Sequence, residues 1–211
     1  MSLKRAFFAL VVRPFLLVVT GTNVRHPERL PKGGPALVVA NHNSHLDTVT
    51  LMSLFPGRRL DRIRPAAAAD YFLRNGLLAW FSRTLIGIIP VTRGGRAAGE
   101  DPLAGVSGAL EKGSIVIFFP EGTRGEPERF KEIRSGIFHL SQRHPGVPIV
   151  PVFLHGLGKA LPKGAFLPVP FFCDVFVGEP LEPLPDKDAF LGALKARFEA
   201  LRAEGTFPEW D

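Results

Sequence analysis

Ala36-Leu37-Val38-Val39-Ala40 runs without a break into Asn41-His42-Asn43-Ser44-His45-Leu46-Asp47. The first five residues are apolar and partly β-branched, which predicts a buried strand. Thr48 to Phe55 follows, with Leu51, Met52 and Phe55 apolar and Pro56-Gly57 as a stop, and reads as a helix. His42 therefore falls where a strand hands over to a helix, a place where open α/β sheets keep their ligands. Residues five apart on one helix point about 140° away from each other, while side chains meet at three or four. If His42 and Asp47 touch, His42 precedes the helix and Asp47 lies in its first turn. A carboxylate there fixes the imidazole tautomer and leaves the other ring nitrogen as a base. Two further readings stay open on spacing alone. Asn, Ser and Asp cap helix starts, and His42, His45 and Asp47 are all metal-ligand types.

The chain has 211 residues, 45% of them hydrophobic, enough for one large domain with a full core. Its net charge of +6 and pI near 9.9 favour an acidic partner. Anionic lipid, a phosphorylated substrate, an acidic carrier protein and nucleic acid all qualify, but no RNP-like or finger-like pattern supports the last. Eighteen Phe against one Tyr lean toward lipid. The single Cys173 excludes an internal disulfide and fits a reducing compartment.

Lys4-Arg5 precedes Ala6 to Val12, Arg13-Pro14 interrupts, and Phe15 to Val19 resumes. No unbroken apolar stretch reaches the ~18–20 residues needed to cross a bilayer. Residues 1–22 thus read as an amino-terminal membrane-interface segment ahead of a domain over 23–211. Its apolar side would lie in lipid, with Lys4, Arg5 and Arg13 at the headgroups. The same pattern also fits a helix docked on the protein's own core.

Ala66 to Ala69 is a possible second strand, though alanine is poor strand material. Asp70 is placed to cap Tyr71 to Phe81, which is apolar on most sides and reads as core or as contact with an acyl chain. Gly87 to Val91 is strand-like and leads to Thr92-Arg93-Gly94-Gly95-Arg96, where glycines and arginines suit phosphate. Asp101-Pro102 opens a helix with Leu103, Val106 and Leu110 on one face and Gly113 as the stop. Ser114 to Phe119 is a buried strand that runs into Pro120-Glu121-Gly122-Thr123-Arg124-Gly125. Arg124 suits phosphate, and Glu121 suits a substrate hydroxyl or a neighbouring arginine. Lys131 and Arg134 are further phosphate candidates. Gly136 to Arg143 reads as a short helix. Pro148 to Leu154 is a strand whose prolines predict an edge or a bulge. Phe171 to Val177 is a last strand. Asp186 then opens a helix with Phe190, Leu194, Phe198 and Leu201 on one stripe. The whole is an α/β layer fold with a mixed sheet. No Gly-x-Ser-x-Gly elbow is present for a serine hydrolase.

Four of these stretches, in order, resemble the motifs of the glycerophosphate acyltransferase family, nearest its bacterial 1-acyl-sn-glycerol-3-phosphate acyltransferases. They are Asn41-His42-x-Ser44-x-x-Asp47, Gly87-x-Ile89-x-x-x-Arg93, Phe119-Pro120-Glu121-Gly122-Thr123-Arg124 and Val150-Pro151-Val152. Members often follow the third motif with Ser-Arg and a Phe-Lys-x-Gly pattern. Here Gly125-Glu126 follows, and extra residues separate Phe130-Lys131 from Gly136.

The resemblance implies a layered αβα fold with a mixed central sheet and an amino-terminal interfacial helix. It implies His42 as the base that takes the proton of the sn-2 hydroxyl of lysophosphatidic acid, oriented by Asp47. Arg93 and Arg124 would hold the glycerol phosphate in a pocket shaped by Glu121, Gly122 and Thr123. Backbone N–H groups near Asn43 and Ser44 would steady the oxyanion. The donor would be a thioester of acyl carrier protein or coenzyme A, with no cofactor, metal or nucleic acid. The enzyme would sit peripherally or monotopically on an anionic membrane surface, at the cytoplasmic face of the inner membrane. The alternatives are another lyso-lipid acceptor or a non-catalytic lipid-binding membrane protein.

Overall fold

A computed structural model describes residues 1–72, 74–92, 101–125, 132–162, 165, 167–205 and 207. The elements in chain order are α1 (Leu3–Phe7), α2 (Arg13–Val19), β1 (Asn23–Arg25), β2 (Ala36–Ala40), α3 (Leu46–Ser53), β3 (Ile63–Ala68), α4 (Ala69–Phe72) and α5 (Gly76–Phe81). Then come β4 (Ile89–Val91), α6 (Ala104–Glu111), β5 (Ile115–Phe118), α7 (Gly136–Arg143), β6 (Ile149–His155), α8 (Leu157–Ala160), β7 (Asp174–Val177) and α9 (Lys187–Ala203).

The sheet has the order β1-β7-β6-β2-β5-β3-β4. Its neighbours are parallel except β6 and β7. Alternation along the strands divides the core. Ala36, Val38, Ala40, Ile115, Ile117, Val150 and Val152 pack with α1, α2 and α3 on one face. Leu37, Val39, Val116, Phe118 and Ile149 pack with α6, α7 and α9 on the other. The sheet is mixed and lies between two helical layers, as the sequence predicted. Pairing overrides propensity in the Ala66–Ala68 stretch, which forms a strand because Ile89–Val91 lies beside it.

Pro151 does not mark an edge, because β6 is an inner strand between β7 and β2. The carbonyl of Pro151 accepts from Gly178 N at 2.8 Å. The N–H and C=O of one strand residue face the same neighbour, so the missing N–H lies just past the end of β7 at Val177 and removes no bond from that ladder. Asp70 does not cap the apolar segment either; it lies inside α4, and Asn75 caps α5 by accepting from Leu78 N. Of the described residues between Tyr71 and Phe81, only Phe72 and Phe81 pack against the core, and they are partly buried. None of the described residues of α4 and α5 is buried, and Leu77 and Trp80 are 80% and 52% exposed.

Between α1 and α2 the helix passes through one π turn, Phe8–Val12, just before Pro14 in the first turn of α2. That turn lets the chain continue where a proline would otherwise break the ladder. Phe8, Val12, Leu16 and Val19 form a buried stripe in the core. Burying four such side chains contributes on the order of 6–12 kcal/mol, more than the polar ties beside them.

Those ties overturn the expectation for the three cations, which turn inward. Lys4 Nζ donates to Ile63 O at 2.7 Å, and Arg13 to Phe55 O at 2.6 Å. Arg5 donates to Arg58 O and pairs with Asp61. Carbonyls left over at the ends of neighbouring elements attract them more closely than water would. The outer face keeps Leu10, Val11, Leu17 and Val18 exposed. Among the described residues no helix is long and apolar enough to cross a membrane.

Lys4 also explains one motif residue. Gly87 has φ of +77°, and a Cβ there would fall 2.9 Å from Lys4 Nζ. Burial first, and the charge of Arg64 second, pull the Lys4 pKa down from 10.5 to about 8, with Asp61 opposing. The folded state then holds fewer protons than the unfolded chain between those two values, so stability rises with pH across that window. We expect the wild type to gain up to about 3 kcal/mol relative to Lys4→Met between about pH 8 and 10.5, read from urea unfolding. Parallel pH profiles would show that the ammonium is not buried.

Candidate active site

Asn41 directly follows β2 and stitches it to β6. Its side chain donates to Leu154 O at 2.9 Å and accepts from Leu154 N at 2.7 Å. This pins the next residue, His42, at the carboxyl end of a central parallel strand.

His42 precedes α3, and Asp47 lies in the helix's first turn. Their side chains meet with Nδ1 2.9 Å from Asp47 Oδ2. The same oxygen accepts from Asn43 N at 2.6 Å and from Ser44 N at 2.8 Å. Two amides donate to this oxygen, so it acts as the acceptor; Nδ1 carries the proton and Nε2 is left as the basic nitrogen. Asp47 is fully buried, whereas the His42 side chain is 17% exposed. The capping and orienting readings are therefore one arrangement: the carboxylate satisfies the helix-start amides and the imidazole together. The expected oxyanion donors are thereby engaged. The amides of Asn43 and Ser44 already donate to Asp47 and do not point at a substrate.

The Glu121–Arg124 turn lies against His42. The ring of Phe119 stacks on the imidazole, 4.1 Å between centroids and tilted 21°. Glu121 Oε1 accepts from His42 N at 3.0 Å, and Gly125 N donates to His42 O at 2.8 Å. Glu121 is 2% exposed and braces the histidine backbone. Gly122 takes φ of +71°, which a side chain would strain. Thr123 and Arg124 are half-buried on the same turn. Arg93, like Lys131, lies outside the described residues. The sequence reading assigned no task to Phe119 or Asn41; both stood in quoted motifs, but stacking and bridging need partners distant in sequence.

His45 meets Tyr71 and does not bond to the His42–Asp47 pair. Its ring stacks on Tyr71, 5.7 Å between centroids, with Tyr71 Oη 3.4 Å from Nε2. The residue as a whole is exposed, yet desolvation of its ring, with the charge of Arg124 next, pulls its pKa down to about 4. His45 is thus neutral across the physiological range. Among the described residues no three metal-ligand groups converge.

Asp47→Ala should lower the unfolding free energy by about 2–4 kcal/mol, because three donors lose a buried charged acceptor. His42→Ala should cost about 1 kcal/mol, since the cap survives. Urea midpoints check this, and equal losses would show that Asp47 does not hold the helix start.

A sequence model of the family described as Acyltransferase matches residues 21–155. The chain is 31% identical over 150 residues to a chloroplastic 1-acyl-sn-glycerol-3-phosphate acyltransferase of Brassica napus, covering 68% of this chain and 40% of that protein. It is 32% identical over 149 residues to a chloroplastic enzyme of the same name from Arabidopsis thaliana, covering 68% and 38%. The alpha form of Homo sapiens is 31% identical over 134 residues, covering 62% and 44%. The chain thus spans less than half the length of these relatives. The crystal structure of the 1-acyl-sn-glycerophosphate (LPA) acyltransferase PlsC from Thermotoga maritima superposes with a TM-score of 0.76, covering 98% of this chain and 80% of that one. At 20% identity that likeness speaks for the fold. On the family match over residues 21–155, the chain belongs to the Acyltransferase family.

Proposed function

We propose that the chain transfers a fatty acyl group from an acyl thioester to the sn-2 hydroxyl of 1-acyl-sn-glycerol-3-phosphate, giving phosphatidic acid. The carrying observation is the 2.9 Å contact of His42 Nδ1 with buried Asp47 at a strand's carboxyl end. His42 Nε2 takes the hydroxyl proton as the oxygen attacks the thioester carbonyl. The tetrahedral adduct collapses, the C–S bond breaks, and the imidazolium returns its proton to the departing thiolate. Asp47 stabilises the imidazolium in between. Acyl transfer is direct, with no acyl-enzyme and no cofactor. The names of the relatives support this acceptor, and general base help of this kind contributes roughly 10²–10⁴-fold.

Arg93 and Arg124 hold the acceptor phosphate in this reading. The donor is a thioester of coenzyme A or of acyl carrier protein, and the pI near 9.9 suits that acidic carrier. The chain works at a membrane surface, where its acceptor resides. Support comes from the uncharged row Leu10, Val11, Leu17 and Val18 on the outer side of the π turn and α2.

A panel of lysophospholipid acceptors with labelled acyl donors, read by product mass, tests the reading. His42→Ala should lower turnover at least about 100-fold with the fold intact. Turnover above a few per cent of wild type would remove His42 as the base. Arg124→Ala and Arg93→Ala should mainly raise the KM for the phosphorylated acceptor, and unchanged saturation curves would take them out of the phosphate site.

A further inference from the structure

Phe119 is the first residue after β5. Phe118 before it packs on the face of the sheet that carries α6, α7 and α9. Alternation turns Phe119 to the opposite face, where it is partly buried against the core cluster shared with α1, α2 and α3. The ring is thus anchored at the border of that core. There it meets the imidazole of His42, 4.1 Å between centroids and tilted 21°. The backbone is tied on both sides of the contact: Gly122 N donates to Phe119 O at 3.1 Å, and Gly125 N donates to His42 O at 2.8 Å.

Two groups therefore hold the imidazole from different directions. A hydrogen bond to a ring nitrogen lies at the ring's edge, so Asp47 takes the edge at Nδ1 and Phe119 takes a face. In acyl transfer the imidazole is neutral before the proton moves and carries a full positive charge once Nε2 has accepted it. The face of an aromatic ring is the negative end of its quadrupole and attracts a cation within about 6 Å of the centroid. The neutral imidazole gains little from that field, and the imidazolium gains more. The stack is thus stronger in the charged state that forms on the way to the tetrahedral adduct than in the ground state. A contact lowers a barrier only if it differs in that sense. An aliphatic side chain of similar size would fill the space without supplying the field.

We propose that Phe119 is a positioning residue for acyl transfer, whose ring stabilises the His42 imidazolium formed as Nε2 takes the hydroxyl proton. This rests on the acyl-transfer reading above. The proton passes from the sn-2 hydroxyl to Nε2 and from there to the departing thiolate. Phe119 exchanges no atom or electron and acts through His42. Asp47 and Phe119 then divide one task, the first by a charge at the edge and the second by a quadrupole at the face.

The test keeps the ring and changes its charge distribution. Phenylalanine analogues with one, two and five ring fluorines replace Phe119 in the full chain. Enzyme in excess over labelled acyl thioester, with saturating 1-acyl-sn-glycerol-3-phosphate, gives the single-turnover rate of thiol release. That rate should fall stepwise with each added fluorine, by about 3- to 30-fold in total, with the KM for both substrates unchanged. Phe119→Leu should lose as much as the fully fluorinated ring, and Phe119→Tyr should keep most of the wild-type rate. The urea midpoints of the fluorinated proteins should stay together, because the packing of the ring is kept. A rate independent of fluorine number, a loss that follows the urea midpoint instead, or a KM rise at an unchanged single-turnover rate would overturn the assignment. Wild-type protein that releases no thiol in the presence of the acceptor would instead sink the acyl-transfer reading, before any variant is compared.

Discussion

Oδ2 of Asp47 accepts three hydrogen bonds, from His42 Nδ1 and from the amides of Asn43 and Ser44. Desolvating a carboxylate costs several kcal/mol, and each charge-assisted bond returns about 1.5–3 kcal/mol. The three donors and the helix start face the charge together and offset that cost. The junction between β2 and α3 is therefore a single cooperative unit. The ring that is to take a proton is held in one orientation by the same carboxylate that caps the helix beneath it.

The sheet supplies the partners of that unit. β5 pairs along one side of β2 and β6 along the other. Through β5 come Phe119 under the ring and Glu121 behind the backbone. Through β6 come Leu154 and its two bonds to Asn41. Val150-Pro151-Val152, one of the four quoted stretches, pairs with Val38–Ala40 and acts through the strand it holds. Three stretches far apart in sequence thus become consecutive strand ends.

The amino-terminal helix is joined to the same scaffold by an apolar stripe and by cations turned toward carbonyls. Lys4 reaches Ile63 O beside Gly87, where a side chain would collide with it. Turning the cations inward leaves an apolar, uncharged row, Leu10, Val11, Leu17 and Val18, on the outward face. A lysine, an arginine and a carbonyl have the same local sequence signature in either orientation, so only the packed partner decides.

Local patterning determined much of this protein. The strand Ala36–Ala40, the stripe Phe190, Leu194, Phe198 and Leu201, the stop at Gly113 and the five-residue offset of His42 from Asp47 all follow from periodicity and turn chemistry. Those signals act within one or two turns of chain. Tertiary structure alone decided that Ala66–Ala68 pairs as a strand, that Pro151 lies in an inner strand, that Leu77 and Trp80 stay exposed, and that Glu121 braces a backbone. It also laid Arg134 across Gly122. Each of those outcomes depends on a neighbour beyond the reach of one element or on the end of a paired strand. Period and propensity describe what a side chain prefers; which backbone or charge it meets is set by how the layers close.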